Sequence, residues 1–166
     1  MARTFLGLGS NLGDRVAHLR NGLRHLELGE VAVVDVSGVW ETQPVGGPPQ
    51  DPYLNIVAEV RTGLDPLPLL ARCQAAEVAE GRERHERWGA RTLDVDILLI
   101  EGLTIDHADL QVPHPRLWDR RFVLAPLAEL APELVPEVAL TEAEGDVHRL
   151  GTLGELPVDP ATSPRR

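Results

Sequence analysis

Two aspartates, Asp94 and Asp96, stand two residues apart in a run of strand-forming residues. They directly follow a loop that carries four arginines and a tryptophan: Arg82, Arg84, Arg87, Trp88 and Arg91. Side chains at i and i+2 of a strand share a face. The two carboxylates therefore project together with Leu98, while Leu93, Val95 and Ile97 take the other side. Carboxylates that close repel unless positive charge lies between them, and Asp is uncommon in strands and rarely buried unpaired. Mg²⁺ is a hard cation that takes carboxylates together with substrate phosphates, and guanidinium groups meet phosphates with planar, paired donors. The run therefore points to a metal–nucleotide site. The plainer alternative is a solvated ion cluster of the two aspartates with Arg91 and Arg87. The apolar stretch 97–100 puts the strand in the interior and favours the first reading. An Asp-x-Asp also serves unrelated metal enzymes, such as nucleotidyl- and glycosyltransferases.

Composition narrows the chemistry. All sixteen basic residues are arginine and no lysine occurs, which excludes a lysine-bearing phosphate loop and Schiff-base catalysis. A net charge of −10 argues against a nucleic-acid partner, whose backbone demands a basic surface. No apolar run reaches membrane-spanning length and the N-terminus lacks a signal-peptide pattern. With one cysteine, Cys73, the expectation is a reduced, cytoplasmic protein without disulfides.

The elements that must position these residues follow from periodicity. Residues 4–9 read as a strand. A Gly-rich turn follows, which lacks the full dinucleotide fingerprint. A helix then carries Val16, Leu19, Leu23 and Leu26 at helical spacing. Residues 31–39 alternate as one strand, and 40–49 read as an irregular Pro/Gly loop. Residues 53–61 form a strand with Tyr53, Asn55, Val57 and Glu59 on one face. Asp65-Pro66 opens a helix that runs to Glu80, with Cys73 on its apolar stripe and Gln74 and Glu77 beside it. Glu101-Gly102 turns a hairpin into residues 103–106. His114 is held between two prolines and has no second histidine at zinc spacing. Asp119 is expected to cap a helix that Pro126 breaks. Beyond Pro136 the pattern weakens. These signals predict an α+β sandwich: a mostly antiparallel central sheet with helices packed on its faces. One domain over 1–156 is expected, with 157–166 a flexible C-terminal tail.

Seven motifs occur in order: Gly9-Ser10-Asn11-Leu12, Thr42-x-Pro44-x-Gly46, Tyr53-Leu54-Asn55, Arg82-x-Arg84, Arg87-Trp88-Gly89-x-Arg91-Thr92-Leu93-Asp94-x-Asp96, Val112-Pro113-His114 and Arg120-x-Phe122. Together they resemble the hydroxymethyldihydropterin pyrophosphokinases of folate biosynthesis, over roughly residues 1–135. The resemblance implies a ferredoxin-like α/β sandwich; the expected state is a monomer. It implies transfer of the pyrophosphoryl group of ATP to the hydroxymethyl group of the dihydropterin, with release of AMP. By that likeness Asp94 and Asp96 hold two Mg²⁺ ions, and Arg82 and Arg91 stabilise the transferring group. Gln74, Arg84, Arg87, Trp88, Ile97, His114 and Arg120 contact ATP. Thr42, Pro44, Val45, Gly46, Tyr53, Asn55 and Phe122 hold the pterin, with Tyr53 and Phe122 as its two stacking faces. Ala90, Asp109 and Pro115 depart from residues frequent in that family. A catalytically silent module on the same fold would be marked by loss of Asp94, Asp96, Arg82 or Arg91, and all four are present.

Overall fold

The first strand sets the layering. In a computed structural model, which describes residues 2–42, 51–81, 91–157 and 159, β1 (Thr4–Ser10) is an inner strand of the main sheet. It sends Leu6 and Leu8 to one side and Phe5, Gly7 and Gly9 to the other. β4 (Tyr53–Thr62) and β5 (Asp94–Ile100) flank it, both antiparallel. β3 (Val39–Thr42) and β2 (Val31–Val36) pair with β4, and β8 (Val147–Gly151) pairs with β3, again antiparallel. The expected α+β sandwich is the fold observed.

Helices cover both faces. On one side α1 (Arg15–Glu27) and α2 (Pro66–Ala79) bury Val16, Leu19, Leu69 and Cys73 against Leu6, Leu8, Ile56, Val95 and Ile97. The thiol, expected as a small core residue, is fully buried there, and burial pushes its pKa up to about 12. On the other side α3 (Arg121–Leu130) places Val123, Leu124 and Leu127 on Phe5, Val57 and Leu98. A short α4 (Glu137–Glu142) adds partly buried Ala139 and Leu140 to that second core.

Several expectations change. The single strand over 31–39 is two strands, and residues 40–42, expected as loop, belong to the second of them. Ser37 causes the break: its N–H donates to the Val57 carbonyl while its hydroxyl accepts from the Val57 N–H at 2.9 Å. The chain thus leaves β4 and rejoins it further along. Pro126 does not break its helix, which runs on to Leu130 with Pro126 itself buried; packing on the sheet outweighs the missing N–H. Asp119 ends a 3-10 turn (Leu117–Asp119), and Arg120 is the cap residue. The turn at Glu101-Gly102 forms as expected, closed by an antiparallel bridge between Ile100 and Leu103, but β6 (Ile105–Asp106) then pairs with β7 (Gln111–Val112) and not with β5. Asp159 lies in the stretch expected as a loose tail, yet it is fully buried, because its carboxylate grips Arg15 through two guanidinium bonds of 2.8 Å.

Candidate active site

Strand register brings the candidate residues into rows. Gly9 pairs with Asn55 on one flank and with Asp94 on the other; Gly7 pairs with Val57 and with Asp96. Trp40 extends the first row beyond Asn55, and Thr42 pairs with Tyr53. Thr42, Tyr53, Asn55, Asp94 and Asp96 therefore share one face of the sheet. It is the face that α3 covers with Leu124 and Leu127. The apolar end of that face is roofed by the helix. The polar end, opened by two glycines, is bordered by the helix's first turn, where Arg120 and Phe122 stand.

Gly9 keeps the middle of this surface clear. A Cβ there would lie 2.7 Å from Asn55 Oδ1 and 3.5 Å from Tyr53 Cδ1. Asn55 is 7% exposed, and its Nδ2 is buried without a hydrogen-bond partner. A buried amide donor left unsatisfied costs free energy, and a ligand acceptor would recover it. Burial, then the charge of Asp94, pushes the Tyr53 hydroxyl up to about 12; Arg91 opposes the shift and Asp96 adds to it. The phenol thus sits within the field of Arg91 and both carboxylates.

The cationic side of the site is built at the start of α3. Burial, then Arg116, lowers the Arg120 guanidinium below its usual range, while Asp96, Asp119 and Asp94 pull it back. Its Cζ lies 5.5 Å from the Phe122 ring centroid, a cation–π contact that orients both. His114 is fastened to β5 by its N–H, which donates to the Leu98 carbonyl at 2.8 Å. Its Nδ1 accepts from the Arg116 N–H at 3.1 Å, which leaves Nε2 to carry the proton. Burial, then Arg120 and Arg116, lowers its pKa and keeps the ring neutral.

Three positions that sequence reasoning gave no role here support the frame. Glu77, 4% exposed on α2, accepts the Val95 N–H at 3.0 Å, between the two aspartates. Its signal in the sequence is a carboxylate on the apolar stripe of a helix. Asn11 accepts the Arg91 N–H at 2.7 Å and donates to the Asp51 carbonyl at 3.0 Å. Arg15 bonds Glu41 and the Pro52 carbonyl. Asn11 stands in one of the seven motifs without a role assigned to it, and Arg15 had no local signal, because the partners of both are remote in sequence.

Asp94 and Asp96 offer hard oxygen donors on a cleared face, a donor set that suits Mg²⁺ together with phosphate oxygens. Among the described residues no group of three or more His, Cys, Asp or Glu could hold a metal, which suits Mg²⁺, since that ion takes one or two carboxylates and completes its shell with water and substrate oxygens.

The comparisons with known proteins show the family and the fold. The family model described as 7,8-dihydro-6-hydroxymethylpterin-pyrophosphokinase (HPPK) matches residues 5–132. The chain belongs to this family. It is 45% identical over 143 residues to the 2-amino-4-hydroxy-6-hydroxymethyldihydropteridine pyrophosphokinase of Bacillus subtilis (strain 168), covering 86% of this chain and 84% of that protein. The Pseudomonas aeruginosa protein of the same name is 44% identical over 133 residues, covering 80% and 82%. A solved structure described as HPPK-DHPS in complex with substrates superposes with a TM-score of 0.62 at 13% identity, over 86% of this chain. That likeness is one of fold, and this chain spans 42% of the solved one. The chain is an enzyme, a pyrophosphokinase of the transferase class.

Among the residues expected from the sequence, the structure brings Thr42, Tyr53, Asn55, Asp94 and Asp96 onto one face, with Arg120 and Phe122 at its border. Ile97 is 3% exposed within the core on the opposite face, and Gln74 is exposed on α2, which covers that opposite face. Neither is brought onto the carboxylate surface. Pro44, Val45, Gly46, Arg82, Arg84, Arg87 and Trp88 lie outside the described residues.

Proposed function

We propose that this enzyme transfers the pyrophosphoryl group of ATP to the hydroxymethyl oxygen of 6-hydroxymethyl-7,8-dihydropterin, releasing AMP, as a step of folate biosynthesis in the cytoplasm. The observation that carries the reading is the row Asn55–Gly9–Asp94. It sets a buried, unpartnered amide donor beside a tyrosine and one glycine away from a carboxylate pair. A flat, polar heterocycle needs stacking and edge hydrogen bonds, and a phosphate chain needs positive charge. This surface offers the first at Tyr53 and Asn55 and the second at Arg91 and Arg120.

The hydroxymethyl oxygen attacks the β-phosphorus, the bond from that phosphorus to the α-phosphate oxygen breaks, and AMP leaves. The hydroxyl proton passes to solvent. Tyr53 and Phe122 hold the pterin ring between them, and Asn55 reads its edge. Thr42, Pro44, Val45 and Gly46 complete that pocket. Asp94 and Asp96 would hold two Mg²⁺ ions, which supply charge neutralisation to the phosphates and acidify the attacking hydroxyl. Arg82 and Arg91 supply donors where negative charge develops on the transferring group, a large part of many rate enhancements. Arg84, Arg87, Trp88, His114 and Arg120 bind the phosphates; Gln74 and Ile97, on the far side of the sheet from Asp94 and Asp96, take no part in that contact. His114, kept neutral, offers its Nε2 proton as a hydrogen-bond donor.

The test is AMP release from ATP and Mg²⁺, with and without the dihydropterin, for wild type and Asp96→Ala. Pterin-dependent AMP, equimolar with pterin diphosphate and lost in the variant, is expected. Production of ADP would mean attack at the γ-phosphorus and would overturn the proposal. So would binding of both ligands without turnover.

A further inference from the structure

We propose that Asp159 is a positioning residue for the surface carrying Thr42, Tyr53 and Asn55, and that it acts through Arg15. The inference rests on the assignment of that surface to a flat heterocyclic substrate.

Arg15 is the first residue of α1, and its side chain is 6% exposed; the Asp159 side chain is wholly buried. Asp159 Oδ2 accepts from Arg15 Nε at 2.8 Å and from the Arg15 backbone N–H at 2.9 Å, while Oδ1 accepts from Nη2 at 2.8 Å. Such a fork-on-fork pair fixes the plane of the guanidinium. With the plane fixed, the two N–H bonds of Nη1 are aimed as well. Nη1 donates to Glu41 Oε2 at 3.1 Å and to the Pro52 carbonyl at 3.0 Å.

Those two acceptors immediately precede Thr42 and Tyr53, which pair with each other across β3 and β4. One guanidinium therefore ties together the two strand ends that present the proposed substrate-binding side chains. Glu41 is one-third exposed and by itself would hold the guanidinium weakly against solvent. The buried partner, Asp159, is the one that aims it.

The segment bearing Asp159 is itself held down from α1. Arg20 donates to the carbonyls of Leu153, Leu156 (2.8 Å) and Pro157 (3.2 Å). It lies beyond residues 5–132, the span of the family match. The segment bearing Asp159 thus acts on the frame of the substrate surface through Arg15, as a brace.

Three measurements on the full chain test the proposal: steady-state KM for dihydropterin and for ATP, and amide hydrogen exchange over residues 39–42 and 51–54. In Asp159→Ala, exchange in both segments rises and the pterin KM increases about tenfold, while kcat and the ATP KM stay within about twofold, the pattern of lost binding to one substrate. If the alanine variant does not fold, Asp159→Asn, which keeps the shape and loses the charge, gives the same split at smaller size. A folded variant with unaltered exchange, or one in which both KM values rise together, overturns the proposal. Increased exchange with no pterin turnover even in wild type would uphold the brace and instead sink the assignment of the reaction.

Discussion

Gly9 lies so close to Asn55 that a Cβ at position 9 would fall 2.7 Å from Asn55 Oδ1. The absence of a side chain there leaves the room that the Asn55 amide occupies. Gly9→Ala should push the amide aside. Overpacking of this kind costs about 1–3 kcal/mol of stability. The sharper expectation is functional: pterin affinity, measured by calorimetry, should fall about tenfold or more, roughly 1.4 kcal/mol, with ATP affinity unchanged. Unchanged pterin binding would remove Asn55 from the site.

Tyr53 is the one tyrosine of the chain, so its phenolate absorbance can be titrated without interference from another. Burial and the neighbouring Asp94 hold its pKa at about 12. A folded value above the unfolded one of about 10 adds stability that is fully present below the unfolded pKa and is lost as pH rises toward 12. A titration midpoint near 10 in the folded enzyme would contradict the described burial. Because the ring is expected to stack and the hydroxyl to stay neutral, Tyr53→Phe should keep most of the pterin affinity. Tyr53→Ala should lose about 0.5–1.5 kcal/mol beyond the area it no longer buries.

The carboxylate pair, its shared face with Leu98 and the opposed Val95 and Ile97 were legible, because a period of two survives in any strand with one apolar side. The layers were legible too, since the stripes of α1 and α2 are strongly apolar. Legibility failed where a distant partner decides. Ser37 splits a run of alternating valines because its hydroxyl finds the Val57 N–H, a contact that β-propensity does not contain. Residues 147–151 form a strand because β3 has a free edge for them to complete, though their own pattern is weak. Asp159 looked like part of a polar tail, and only the buried guanidinium of Arg15, 144 residues away, gives it a place.

Glu77 touches β5 between the two aspartates by accepting the Val95 N–H at 3.0 Å. Glu77→Ala should leave that buried donor unpaired, at a cost of about 1–3 kcal/mol, visible as a lower urea midpoint. Asp94 and Asp96 depend on that stretch of backbone for their alignment, so kcat should fall as well. Glu77→Gln keeps an acceptor oxygen and should recover much of both. A Glu77→Ala protein of wild-type stability would mean that water or another group readily satisfies the Val95 amide.

His114 makes a pH-dependent contribution whose sign is fixed by its surroundings. Burial first, then Arg120 and Arg116, lowers its folded pKa below the ordinary 6.5. The folded state therefore binds fewer protons at this site than the unfolded chain, and stability from His114 is present above pH 6.5 and is lost as pH falls through the folded pKa. The Arg116 N–H, which donates to Nδ1 at 3.1 Å, works in the same direction, since a protonated Nδ1 could not accept it. Urea unfolding of wild type and His114→Gln at pH 8 and at pH 5 separates this group from the other titrations of the chain. Wild type should lose more stability between the two pH values than the variant does. An equal loss in both would show that the ring titrates freely and has no part in ordering the turn that leads into Arg120. A larger loss in the variant would reverse the sign of the argument and imply that His114 is held in its charged form.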